Sequence, residues 1–347
     1  LVNWAAIKLG SQDWLFPQGG ECRVTGEGNI YSKDTLCVGL TGQKQDQFVQ
    51  IDSGARLDAG VIALGRGSSN TIEVRNGNLH AILIEGSPGQ TKGATNDRLF
   101  LGDGSGGNGE LIVGAITGFD SMEQRGGTWS YAVNGVDDPQ VKDRLITSGR
   151  RTAEELDEMG SFPAFTGYGI AKIAPVEITG RDRKQRSVQR AAFARIEGTN
   201  LEKRLFVQNI DSELEINEGI HGNASLTTSG NTLLKGESSY FRATTIQSGG
   251  ELKAGNSLAL SPSSEIKIEP GGVLQLDGYA NRVLGLSGGS RTDSDPGIVE
   301  LGTNCSEDGV CDQELSGGIL SVARGDFNGT IEDVPDSSGA LIKVGSP

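Results

Sequence analysis

The chain has 347 residues, 35% of them apolar and only 5% aromatic, and its 53 glycines are roughly twice average usage. A formal net charge of −14 opposes the basic footprint that nucleic-acid binding requires. No apolar run approaches the roughly 18 residues of a membrane span, and the glycines lack the three-residue period of collagen.

The first residues, Leu1-Val2-Asn3-Trp4, show no basic leader, so the segment reads as mature or excised. Four cysteines form two close pairs, Cys22/Cys37 and Cys305/Cys311. With only His80 and His221 to help, and without CxxC spacing, two local disulfides in an oxidising compartment are favoured over a metal site.

Repeats begin next. GARLDAG (54–60) and NGNLHAILIEG (76–86) place Leu57 and Leu79 22 residues apart, and Leu101 follows after another 22. SGGELKAG (248–255) and PGGVLQLDG (270–278) repeat the spacing with Leu252 and Leu274, and Leu320 lies close to two further periods on. Between these leucines run short alternating phrases, TIEVRNG, EIKIEPG and ILSVARG, bounded by turn residues. Alternation with period two marks strands, and a fixed period near 22 marks a solenoid. The predicted fold is all-β: a right-handed parallel β-helix, one phrase per coil, with glycines at positive-φ corners.

Residues 127–200 lose this pattern. DDPQVKDRLITSG and RTAEELDEMG carry helix caps at Asp138, Pro139 and Gly149, and a capping box at Thr152 and Glu155. The division expected is therefore coils over 1–126, a partly helical excursion over 127–200, and coils over 201–347. Inside the excursion, Arg181, Arg183, Lys184, Arg186 and Arg190 concentrate positive charge in an acidic chain. They form a candidate binding site for a sulfated glycan, a lipopolysaccharide phosphate or an acidic protein patch. The alternatives are a processing loop, or a solvated loop balancing Glu154, Glu155, Asp157 and Glu158.

Chemistry-bearing motifs are few. GLSGG fits GxSxG around Ser287, but a nucleophile elbow needs a helix after its strand, and a glycine-serine loop follows instead. His80 and His221 are isolated, and GDGSGGNGE (102–110) lacks the lysine of a phosphate loop. A polysaccharide lyase would need clustered carboxylates for calcium and a basic residue beside them, and Asp52 and Asp58 are too isolated to form such a set. No catalytic residue, metal or cofactor is expected.

From about residue 224 the sequence resembles the passenger domains of Gram-negative autotransporters. SLTTSGNTLLKGESSYFRATTIQSGGELKAG, PGGVLQLDGYANRVLGLSGG and GILSVARGDFNGTIEDVPDSSGALIKVG match the family's strand repeats in order over about 120 residues. The resemblance implies a β-helix secreted through a C-terminal translocator barrel to the surface of a Gram-negative bacterium. It also implies adhesion to a host glycan or protein, or self-association with another copy, without membrane insertion by this segment. A weaker resemblance over 137–176, in DDPQVKDRLITSG and TGYGIAKIAPV, is to the closing segment of subtilisin-like proteases, although GTSxA is absent. That leaves the stem or remnant of a subtilisin-like serine protease, its catalytic residues absent from this chain, as a second reading, and a filament or toxin-like assembly unit as a third.

Overall fold

The computed structural model describes residues 7–9, 12–14, 21–24, 29–38, 48–64, 69–86, 97–119, 121–133, 142–143, 146, 164–174, 176–179, 184–187, 190–290, 295–302, 318–333 and 339–344. It is a parallel β-helix, nearly all strand, in two compact units: 1–171 with 191–194, and 172–190 with 195–347.

In the first unit, long strands stack one coil upon the next. Asn29–Val38, Ala55–Leu64, Gly77–Glu85, Asn108–Thr117 and the second half of Ser121–Val133 pair in parallel. Beside them Glu21–Val24, Phe48–Ile51, Thr71–Val74, Arg98–Leu101 and residues 121–124 form a second ladder. Inward columns follow the register: Ile30, Leu57, Leu79 and Leu111 in one, Val49, Ile72, Leu99 and Met122 in the other, all buried. Strand Ala164–Ile173 lies over Ser121–Val133. There Phe165 and Phe193 meet Tyr131 edge-on at 5.3 and 6.0 Å, and the Tyr131 hydroxyl donates to Gln124 Oε1 at 2.8 Å.

The second unit begins with an antiparallel hairpin, Val176–Thr179 against Lys184–Ser187, and then stacks three ladders. Ladder A holds Arg195–Gly198, Ile220–Gly222 and Ser239–Tyr240. Ladder B holds Leu205–Asn209, Ala224–Thr228, Thr244–Ile246, Glu265–Ile268 and the end of Ala280–Gly288. Ladder C holds Glu213–Ile216, Asn231–Leu234, Glu251–Ala254, Val273–Gln275, Ile298–Glu300 and Thr330–Glu332. The start of Ala280–Gly288 carries Ile319–Arg324, and that strand carries Ala340–Lys343.

Two of the predicted 22-residue steps are register pairs, Leu57 with Leu79 and Leu252 with Leu274. Two others are not. Leu101 pairs with Val74 while Leu79 pairs with Leu111, and Leu320 pairs with Asn281 while Leu274 pairs with Val299. The physical reason is that coil length varies: Leu226 to Thr244 spans 18 residues and Leu79 to Leu111 spans 32. A corner can lengthen without disturbing the strands it joins.

Inside the second unit the core is partly polar. Asn209 Nδ2 donates to Asn231 O at 2.9 Å and Thr232 Oγ1 at 3.0 Å, while the Tyr240 and Thr244 hydroxyls are 2.5 Å apart. Bonds of this kind offset the cost of burying polar groups, although Asn209 Oδ1 and Ser212 Oγ are buried without a partner.

The expected excursion is narrower than 127–200. Coil strands reach Val133 and return at Ala164, and helical backbone among the described residues is confined to Lys142, Asp143 and Ile146. The caps expected at Asp138, Pro139, Gly149, Thr152 and Glu155 lie outside the described residues. Cys22 and Cys37 sit on strands Glu21–Val24 and Asn29–Val38; Cys305 and Cys311 lie outside the described residues, so neither expected disulfide is described.

Candidate functional site

The outer face of ladder C is where the second unit gathers chemistry. Alternation points Leu214, Ile216, Thr232, Leu234 and Leu252 inward, so the residues between them stand outward. Stacking in register turns those outward positions into two columns. One runs Glu213, Asn231, Glu251 and Val273; the other runs Glu215, Leu233, Lys253 and Gln275. Adjacent members are about 4.8 Å apart along the stack. The first three members of each column, with Arg190, line a cavity of about 200 Å³.

Glu215 is the best-held group in it. Lys235 Nζ lies 2.6 Å from one carboxylate oxygen and Arg190 Nη2 lies 3.1 Å from the other. Burial alone pushes the Glu215 carboxyl up, but hydrogen bonding and charge from Lys235 and Arg190 outweigh it and leave it below its ordinary 4.5. The stability it confers is therefore present above the unfolded value near 4.5 and lost as pH falls through the lower folded value. Glu215→Gln is expected to be less stable than wild type in urea at about pH 7. The difference should shrink as the pH is lowered below 4.5 and the carboxyl takes up its proton, and a difference that stays constant as the pH falls would disprove the ion-pair account.

Of the five predicted basic residues, Arg190 alone has a described side chain, and it is engaged by Glu215. Lys184 and Arg186 are on the second hairpin strand, in register with Thr179 and Glu177. Arg181 and Arg183 lie outside the described residues. So the structure takes Arg190 out of a purely basic loop and places it in a mixed-charge groove.

The first unit has a second outward cluster. His80 Nε2 lies 3.1 Å from Glu110 Oε2, while Nδ1 faces Asp58 Oδ1 at 3.3 Å and Arg56 Nη2 at 3.1 Å. A neutral ring accepts from Arg56 and donates to Glu110; a protonated ring donates to both carboxylates. Either way both nitrogens are engaged by protein. Burial raises the Asp58 carboxyl, yet bonds from His80 and Arg56 prevail and hold it below its ordinary range. Asp52 Oδ1 accepts from the Ser53 amide at 2.6 Å.

His221 was predicted to stand alone, but coil stacking brings Ser239 to it. Nδ1 lies 2.8 Å from Ser239 Oγ and Nε2 lies 3.2 Å from Glu218 O, the contacts of a nucleophile, its base and an orienting acceptor. The pair stands on the outer face of ladder A, away from the cavity on ladder C. Ser287 lies within strand Ala280–Gly288 in register with Lys267, which is no elbow. In the glycine loop, Asp103 accepts the Ser105 amide and hydroxyl at 2.9 and 2.6 Å. No group of three or more His, Cys, Asp or Glu among the described residues is arranged to hold a metal ion, and no described helix is long and apolar enough to cross a membrane.

No family model matches the chain, and neither a curated protein nor a solved structure matches it.

Proposed function

We propose that the chain is a secreted or surface-displayed passenger of the autotransporter type that mediates adhesion or self-association without catalysis. The observation that supports this reading is the outer face of ladder C. Its stacked carboxylate, amide and ammonium groups, with Leu233 between them, border an open groove rather than a closed pocket. Such a face offers repeated hydrogen-bonding positions to an extended ligand, which suits a host glycan or protein, or another copy. Arg190 is the member of the expected basic site whose side chain is described, and it borders this groove.

The test displays the chain on otherwise non-clumping bacteria and measures settling and host-cell attachment. Wild type is expected to exceed an empty control in at least one assay. A display variant lacking the Asn231 amide and the Lys253 charge (Asn231→Ala, Lys253→Ala) should lose most of that gain. Cells that neither settle nor attach better than the control would overturn the proposal.

A hydrolytic reading, distinct from a protease stem whose catalytic residues would lie outside this chain, has one observation in its favour, the contact between Ser239 and His221. Labelling by a fluorophosphonate that disappears in Ser239→Ala would move the function to hydrolysis.

A further inference from the structure

Three apolar side chains stand exposed at the corner between ladders A and B of the second unit: Leu201 at 82%, Phe206 at 39% and Phe241 at 43%. Scattered exposed apolar groups are ordinary. These are not scattered: Leu201 and Phe206 follow each other around the A–B corner of one coil, and Phe241 stands at the same corner two coils on. The Arg204 guanidinium lies 5.1 Å from the Phe206 ring centre and the Arg242 guanidinium 5.3 Å from that of Phe241. Aromatic rings paired with arginine are the composition of protein-interface hot spots.

The corner is also rigidly built. Asn223, 1% exposed, donates through Nδ2 to Asn200 O at 3.0 Å and Leu201 O at 3.1 Å, and its Oδ1 accepts from Arg242 Nε at 2.8 Å. One buried amide thus fixes the Leu201 loop on one coil and Arg242 two coils away. A core residue spent on orienting surface groups prearranges them for contact and lowers the ordering cost of binding.

Charge complementarity identifies the occupant. The corner is cationic in a chain of net charge −14. The far end of ladder C carries the opposite sign: Glu300 stacks on Glu332 in register, with Glu251 and Asp277 close enough to raise the Glu300 carboxyl after burial has done so. We propose that the Phe241–Arg242 corner of one copy docks on the Glu300–Glu332 face of a second copy. The two patches differ, so the contact is heterologous and leaves a free corner and a free acidic face for the next copy. Association is therefore open-ended.

This inference rests on the self-association half of the proposed function. Sedimentation velocity on the purified chain tests it. The average mass is expected to climb with concentration without a plateau at a dimer, and the association constant to fall at least tenfold from about 0.05 to 0.5 M NaCl. Arg242→Glu and Glu332→Arg should each weaken association at least tenfold with unchanged circular dichroism, and mixing the two variants should restore it. A chain that stays monomeric at high concentration overturns the inference, as does association that survives both variants or a mixture that shows no recovery. Purified chains that associate this way while displayed cells do not clump would leave the contact standing and remove the self-association function. Clumping cells with monomeric chains would do the reverse.

Discussion

Gly127→Ala is expected to destabilise the first unit by about 3 kcal/mol or more, whereas Gly54→Ala should cost only about 1 kcal/mol. Both glycines have left-handed backbones, φ +76° and +79°, so alanine meets the same conformational penalty at each. They differ in what a Cβ would touch. At Gly54 nothing lies within 4 Å, but at Gly127 the Gly107 carbonyl oxygen would be 1.7 Å away and its carbon 2.7 Å away. That oxygen cannot retreat freely, because it accepts the Thr128 amide at 3.0 Å in the stack. Next to this corner Trp129 is fully buried and its indole donates to Gly126 O at 3.2 Å, so its fluorescence reports the damage. Urea unfolding of the two variants checks the claim. Equal losses would mean that coils at this corner can slide apart at little cost.

How much of this was legible in the sequence depends on what each residue shows by itself. Leu252 over Leu274 was legible because both leucines sit in the same glycine-bounded alternating phrase. Leu320 over Asn281 was not, because an inward column need not stay apolar: Asn281 is 3% exposed, and its side chain is used by Leu260 N and Asn256 O. Thr232, under Leu252, hides in the same way. Constant period was the wrong expectation, since corners absorb insertions that leave strand pairing intact.

The groove was the least legible feature. Glu215, Arg190 and Lys235 are separated by 25 and 20 residues, and each is an ordinary outward charge until register brings them together. The basic run drew notice through its charge, but charge alone could not show that Arg190 belongs to ladder C's groove. Ser239 and His221, 18 residues apart, would have been found by asking which residues lie one short coil from each histidine.

Leu252→Ala is expected to cost the second unit about 3 kcal/mol, while Leu341→Ala should cost within about 0.5 kcal/mol. Both leucines occupy stacked strands and pair with an apolar neighbour, Leu274 in one case and Leu320 in the other. Leu252 is wholly buried between Thr232 and Leu274, so truncation leaves a cavity closed above and below by neighbouring coils. Leu341 is 48% exposed on the last described strand of its stack, and water can fill the space it vacates. In a solenoid each coil is stabilised mainly by its immediate neighbours, so the loss at Leu252 should be local. Hydrogen exchange should show protection falling first in Asn231–Leu234, Glu251–Ala254 and Val273–Gln275. A Leu341→Ala loss as large as that of Leu252→Ala would show that the end of the stack is covered in solution, as an open-ended assembly of copies requires if its contacts reach beyond the Phe241–Arg242 corner.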